Sequence, residues 1–208
     1  MENTKAAATT DWRQYVRNTR GRMFQSDFLE FFSKVHPRTP FVFWIPVAGS
    51  ILVYSLVQGL TTALETLALF PLGFITWQLA EYWIHKKVFH LWPGPTAHGF
   101  HHKYPDDDTR LVMPITVSIG LASLIGGGLY FVHRPDLTIP FWAGLVFGYL
   151  WYDFLHWSTH HREPWTNWGK QLRAHHLAHH FGDPDKNFGI SHMWMDKILG
   201  SLNKRDSK

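Results

Sequence analysis

The sequence predicts an all-α integral membrane protein, with four transmembrane helices in two hairpins and a helical cytoplasmic cap holding a dinuclear histidine metal site. Three observations predict it. Four long stretches are almost free of charge, ten of the fifteen histidines form four tight groups just beyond those stretches, and Lys and Arg crowd onto one side of the expected bilayer. All 208 residues are read as a single domain.

Residues 1–40 are expected to be a cytoplasmic or interfacial segment. Within it, residues 27–35 (DFLEFFSKV) present an aromatic face, with Asp27 and Glu30 at capping-box spacing. This pattern suits a short helix lying in the membrane interface. The ends, roughly residues 1–10 and 202–208, read as frayed.

Residues 41–60 carry no charge and are long enough to cross a bilayer as a helix. Residues 66–84 form the second span, with Glu81 near its end. Residues 111–132 form the third, uncharged and rich in glycine around Gly126–Gly128, which would allow close helix contact. Residues 139–155 form a shorter fourth span that carries Asp153 and continues as helix into the cap. The links between paired spans are brief, hence the two hairpins. Orientation follows from the basic residues. Seven lie in residues 1–40 (Lys5, Arg13, Arg17, Arg20, Arg22, Lys34 and Arg38), four in the loop 85–110 and eight after residue 157. The opposite side holds only Arg134, so both termini and all four histidine groups are placed on the cytoplasmic face.

The absence of cysteine removes disulfides, thiolate ligands and cysteine nucleophiles, leaving His and carboxylates to hold any metal. A formal charge of +4 could suit nucleic acid, but no nucleic-acid motif accompanies it, and the membrane explains where the charges fall. The cap, residues 85–110 and 156–208, carries the histidines. His98, His101 and His102 follow H-x-x-H-H, as do His176, His179 and His180; His156 and His160 are an i, i+4 pair. Residues three and four apart share one face of a helix, so each group can present imidazoles to a common ion. His85 and His90, five apart, do not fit one straight helical face; a helix end or a second metal would resolve this. Ten imidazoles exceed what one ion takes, which points to two metals.

An acid, aromatic residues and a His pair close each hairpin (Glu81 to His85, Asp153 to His156), and an H-x-x-H-H box follows each. That suggests a pseudo-twofold site. Glu81 and Asp153 could orient imidazoles from behind or simply mark the membrane boundary. His161 and His175 adjoin the boxes as possible additional ligands or supports. His192 is expected near the site without binding metal, His133 on the far face, and His36 at the interface. Asp106, Asp107 and Asp108 read as a loop pairing with Arg110. Trp83, Phe100, Tyr104, Trp157 and Phe188 are candidate liners of a lipid groove.

The segments HKKVFH (85–90), HGFHHKYPDDDTRLVMP (98–114), DFLHWSTHH (153–161) and HHLAHHFGDPDKNFGIS (175–191) resemble the membrane fatty acid hydroxylase and sterol desaturase superfamily, most of all its fatty acid 2-hydroxylases. The resemblance covers roughly residues 70–200. It implies that His85, His90, His98, His101, His102, His156, His160, His176, His179 and His180 hold two iron ions, with zinc able to occupy the site in purified protein. It also implies O2 as co-substrate and hydroxylation of a long acyl chain, in a fatty acid or a sphingolipid. Removing hydrogen from an unactivated methylene needs a redox-active metal, which iron is and zinc is not. Relatives often carry a cytochrome b5 domain marked by His-Pro-Gly-Gly. Here His36-Pro37 is followed by Arg38, so the expected electron donor is a separate cytochrome b5-like or ferredoxin-like protein. The same chemistry on a sterol, a carotenoid or a lipid headgroup, or a desaturation, stays open. A metal transporter is a distant alternative, since the spans lack polar residues at mid-membrane.

Overall fold

The computed structural model describes residues 21–90 and 97–203, whose regular structure is entirely helical. Four of the basic residues that orient the N-terminal segment, Lys5, Arg13, Arg17 and Arg20, lie outside the described residues, as do most of the two ends read as frayed.

The short helix α1 (Asp27–Ser33) exposes Phe28 and Phe31. Its N-cap is Ser26, whose hydroxyl accepts from Leu29 N–H, so the expected Asp27/Glu30 capping box does not form. Glu30 turns inward instead. It accepts the N–H groups of Met23 and Phe24, each at 3.0 Å, and pairs with Arg110. Burial alone would raise its pKa, but the two amides and the guanidinium outweigh burial and lower it to about 2. Arg110 also donates to Ser33 Oγ at 2.8 Å, lies over the Phe100 ring and sits 3.5 Å from Asp107. The N-terminal segment is thereby fastened to the loop that follows the first histidine box.

Helix α2 (Thr39–Val57) begins with proline in its first turn, where a missing N–H costs nothing. Helix α3 (Ala63–Trp83) starts at a Thr62/Glu65 capping box and runs into a π-helical turn, Ile84–Phe89. Helix α4 (Ala97–Lys103) holds the first box, and a 3₁₀ turn (Asp108–Arg110) leads to α5 (Ile115–Tyr130). Helix α6 (Pro135–His161) is the longest, followed by α7 (Asn167–Phe181), capped by Thr166, and α8 (Trp194–Ile198).

Among the described residues three segments are long and apolar enough to cross a membrane: Thr39–Val57, Ala63–Phe89 and Asp108–Tyr130. Their outward side chains are apolar, with Val42, Val57, Leu64, Leu67 and Leu124 all largely exposed. Such a surface belongs in lipid. Helix α6 is different, because Ala143, Gly144, Val146, Gly148, Tyr149 and Leu150 are buried. It is the central post of the bundle. Trp44, Ala48, Val146, Tyr149 and Leu150 form its core, and Trp44 Nε1 donates to Ser118 Oγ at 3.0 Å, tying α2 to α5.

The most extensive packing joins α3 to α6 rather than chain neighbours. Glycine makes it possible. A Cβ on Gly73 would lie 2.0 Å from the Phe141 carbonyl oxygen, and one on Gly144 would lie 2.0 Å from that of Phe70. The backbone-to-backbone approach falls to these residues, and of Gly126–Gly128 two do not take part in close contact: a Cβ on Gly127 or Gly128 meets nothing within 4 Å. Gly126 alone of the three makes a close contact, since a Cβ there would lie 3.2 Å from Trp142 Nε1 on α6, whereas α5 packs peripherally and Gly127 and Gly128 face open space. We predict that Gly144→Leu forces α3 and α6 apart and destabilises the protein by roughly 1–3 kcal/mol. Gly127→Ala should leave the melting temperature in detergent unchanged or slightly raised, and equal melting of both variants would contradict this.

Candidate metal centre

The α3–α6 contact carries two histidine pairs to the same end of the bundle. The π-helical turn settles the five-residue spacing. His90 N–H donates to the His85 carbonyl at 3.3 Å, an i→i+5 bond that puts both rings on one face. Their Nε2 atoms lie 3.2 Å apart. On the regular helix α6, His156 and His160 share a face through ordinary i, i+4 spacing.

The ten imidazoles divide into two groups of five. One comprises His85, His90, His98, His102 and His179; the other His101, His156, His160, His176 and His180. Within each group the candidate donor atoms all lie within 4.8 Å of one another. In the first, Nε2 separations include 3.0 Å for His85–His98, 2.9 Å for His98–His102 and 3.1 Å for His90–His179. In the second they include 3.0 Å for His101–His156, 2.8 Å for His160–His176 and 3.0 Å for His101–His180.

The boxes cross over. Each H-x-x-H-H box sends its first and last histidines to one group and its middle histidine to the other, His101 from α4 and His179 from α7. On a helix the i+3 and i+4 side chains diverge by about 100°, so one box can serve two centres. The groups touch where the rings of His102 and His180 stack at 4.2 Å. The grouping is pseudo-symmetric: each group takes one helix-end pair, two residues of the following box and one residue of the other.

The five Nε2–Nε2 contacts of the first group cannot all be hydrogen bonds at once. His85 Nδ1 donates to the Phe188 carbonyl at 2.6 Å and His179 Nδ1 to that of Lys186 at 2.7 Å. A carbonyl only accepts, so in a neutral ring Nε2 is left with a bare lone pair. Both lone pairs point into the first group, towards other Nε2 atoms. Protonation does not relieve the crowding. Burial first, and then repulsion among neighbouring imidazoles, holds His98, His101, His160 and His176 well below the usual histidine pKa. The same causes bring His102 to about 3. His179, also buried but helped by the Lys186 carbonyl, is at about 4. Clustered neutral imidazoles are what a divalent transition metal requires.

The other singled-out residues fall around these groups. His175 is buried outside both, with Nε2 3.1 Å from Asp196 Oδ2. His161 is exposed and stacks on Trp157. Glu81 accepts the N–H (2.8 Å) and hydroxyl (2.6 Å) of Ser191, so it anchors the chain after α7 to α3 rather than bonding one of the ten imidazoles. Asp153 is buried on α6 and interacts with Tyr149 one turn earlier. His192 donates to the Gln78 carbonyl at 2.7 Å and belongs to neither group. His133 sits in the turn between α5 and α6, and the His36 ring accepts from Arg38 N–H. Of the proposed liners, Phe188 reaches the site, its ring facing those of His85, His90 and His179. Trp83 is exposed beside Tyr82, while Phe100 and Tyr104 pack on each other and, through Phe100, on Arg110.

Asn187 and Asp196 were not singled out in the sequence. Both are fully buried, and Asp196 accepts from Phe188 N–H, Gly189 N–H, His175 and Ser201. Burial would raise its carboxyl pKa, but these donors lower it below the usual range. Asn187 sits in a stretch with two aspartates and two glycines (GDPDKNFG), where only its positive φ of 60° is a turn property a sequence could hint at.

Apolar helices topped by two groups of buried neutral imidazoles define a membrane-embedded enzyme with a histidine-rich metal site. A family profile described as fatty acid hydroxylase matches residues 70–201. A dihydroceramide fatty acyl 2-hydroxylase of Arabidopsis thaliana is 35% identical over 87% of this chain and 79% of its own length. The fatty acid 2-hydroxylase of Homo sapiens is 30% identical over 87% of this chain and 56% of its own. A solved structure described as full-length scs7p, with only its hydroxylase domain visible, superposes with a TM-score of 0.78 at 28% identity, covering 86% of this chain and 71% of that one. The chain belongs to the fatty acid hydroxylase family and is a membrane hydroxylase that acts on a lipid acyl chain.

The titration has a definite sign. The unfolded chain takes up protons near pH 6.5, while folded His179 and His102 resist them down to about 4 and about 3. Between those values the unfolded state binds more protons, so folding stability falls as pH falls. The metal-free protein should therefore melt at similar temperatures at pH 7.5 and 8.5, and at progressively lower ones from pH 6.5 to 4. A melting curve set that is flat across pH 4–7 would contradict this.

Proposed function

We propose that the two imidazole groups hold two iron ions, and that the chain uses O2 to hydroxylate carbon 2 of a long acyl chain in a fatty acid or sphingolipid. The observation that carries this reading is the crossed pair of five-histidine groups. Its donor set is all nitrogen, and its spacing is informative. With donors about 2.1 Å from an ion, neighbours at right angles are ~3.0 Å apart, whereas tetrahedral neighbours are ~3.4 Å apart. The Nε2 separations of 2.8–3.2 Å follow the first figure. They favour ions with five or six ligands, which suits iron better than a four-coordinate zinc site. Zinc can still fill nitrogen sites in purified protein.

The bound irons would supply the oxidising power for C–H cleavage, drawing electrons from a separate cytochrome b5-like or ferredoxin-like protein. This chain's own residues do the rest. The ten histidines stay neutral and aim their Nε2 atoms inwards, and the burial of seven of them would limit the access of bulk water to the metals. Phe188 offers an apolar face beside His85, His90 and His179; Trp83, Phe100, Tyr104 and Trp157 would guide lipid further out. His161 and His175, with Glu81 and Asp153, are read as supports around the ligands. Helix α6 would provide a fourth crossing, with both termini and the metal site at the cytoplasmic surface, where the basic residues gather. Position 2 is favoured by the relatives' names: one is called a dihydroceramide fatty acyl 2-hydroxylase and another a fatty acid 2-hydroxylase.

The test is anaerobic reconstitution with Fe(II), then addition of O2, a reductant and a redox protein to very-long-chain fatty acid or dihydroceramide. Mass spectrometry should find a hydroxyl at carbon 2 whose oxygen comes from labelled O2. His98→Ala and His176→Ala should each lower bound iron towards one ion per chain and cut product by more than the roughly 10–100-fold expected for an outer partner. Undiminished product in either variant, or label arriving from water, would sink the proposal.

A further inference from the structure

The chain after α7 makes a bracket against the first imidazole group. Lys186 and Phe188 flank Asn187, and their carbonyls take the ring N–H groups of His179 (2.7 Å) and His85 (2.6 Å). These two histidines come from helices 94 positions apart in the chain (179 − 85), and one three-residue turn orients both.

That turn is held from two sides. Asn187 is fully buried with a φ of 60°, in the left-handed region that asparagine tolerates better than most residues. Its N–H donates to the Ser201 carbonyl at 2.8 Å, its side-chain amide donates to the His175 carbonyl at 3.1 Å, and its Oδ1 accepts from Asn203 N–H at 2.8 Å. Asp196 grips the other side through Phe188 N–H (2.8 Å) and Gly189 N–H (2.7 Å). The fit leaves no slack, since a Cβ on Gly189 would lie 2.0 Å from the His192 carbonyl oxygen and 2.9 Å from Asp196 Oδ2.

The second group is built otherwise. Nδ1 of His101, His176 and His180 is buried with no hydrogen-bond partner. From this asymmetry we infer that Asn187 and Asp196 are positioning residues for the first metal centre alone: by fixing the Lys186 and Phe188 carbonyls, they set the tautomer and aim of His179 and His85. Neither side chain touches a metal or the substrate. The inference rests on the reading of the first group as a metal centre. It makes the two centres unequal, the first dependent on the turn at 186–189 and the second not.

Co(II) is the probe, because its affinity can be measured by chelator competition and its visible spectrum reports ligand geometry. The full chain in detergent is compared in two backgrounds, His176→Ala to cripple the second centre and His98→Ala to cripple the first. Adding Asn187→Gly, which keeps the positive φ and removes the side chain, should weaken Co(II) binding about 10–100-fold in the His176→Ala background. The visible spectrum should shift there too. In the His98→Ala background neither affinity nor spectrum should change. Asn187→Asp, which keeps the acceptor for Asn203, should recover part of the loss. Equal weakening in both backgrounds would mean a general folding role and overturn the inference, as would full affinity in the first. If the Asn187→Gly chain does not fold, Asp196→Asn takes its place under the same expectations. Failure of the underlying reading looks different: the unsubstituted chain would then take up no Co(II) at all, and the positioning role would fall with it.

Discussion

Ten uncharged imidazoles pressed together, seven of them buried and three half-buried, are the constraint on which this structure depends. Where His85 and His179 give their Nδ1 protons to main-chain carbonyls, their Nε2 lone pairs face other ring nitrogens about 3 Å away. Burial denies the rings the extra protons that could separate them. A cation shared among the lone pairs removes the conflict for all of them at once. A polypeptide that stored such an arrangement without one would carry a standing cost, because buried polar groups without partners are expensive.

Helix α6 and its glycine contacts with α3 follow from the need to assemble those rings. Gly73 and Gly144 let the two backbones approach to carbonyl contact, so the ends of both helices emerge side by side. One end continues as a π-helical turn carrying His85 and His90, the other as regular helix carrying His156 and His160. The two pairs are alike in purpose and unlike in backbone. An added residue in the first pair's spacing is absorbed by an i→i+5 turn, a common device at functional sites.

Sharing between centres gives the site its stiffness. Because His101 and His179 each leave their own box for the other group, neither group can form unless both α4 and α7 are docked. The turn at 186–189 adds a tie from the chain after α7 back to α3, and Glu81 adds another through Ser191. Glu30 and Arg110 do the same for the N-terminal segment, whose helix α1 turns its phenylalanines outwards as an interfacial anchor would. Polar contacts thus hold the cap, while apolar packing holds the bundle beneath it.

Much of this was legible in the residue order. Chargeless runs marked the long helices, and the spacings of the H-x-x-H-H boxes and of His156/His160 showed which rings could share a face, since periodicity is a local property of the backbone. The inward turn of Glu30 onto Arg110, which takes it out of a capping box, and the backbone contacts at Gly73 and Gly144 were not legible. They depend on what lies opposite, and local pattern does not contain that. The division of ten histidines into two groups, with His101 and His179 exchanged, is also a tertiary fact. So are the roles of Asn187 and Asp196, which act through main-chain carbonyls that look the same at every position of a sequence. The residues determined that metal chemistry at a membrane was available; only the folded chain decided which imidazole serves which ion, because that choice is made by distances between helices and not by spacings along them.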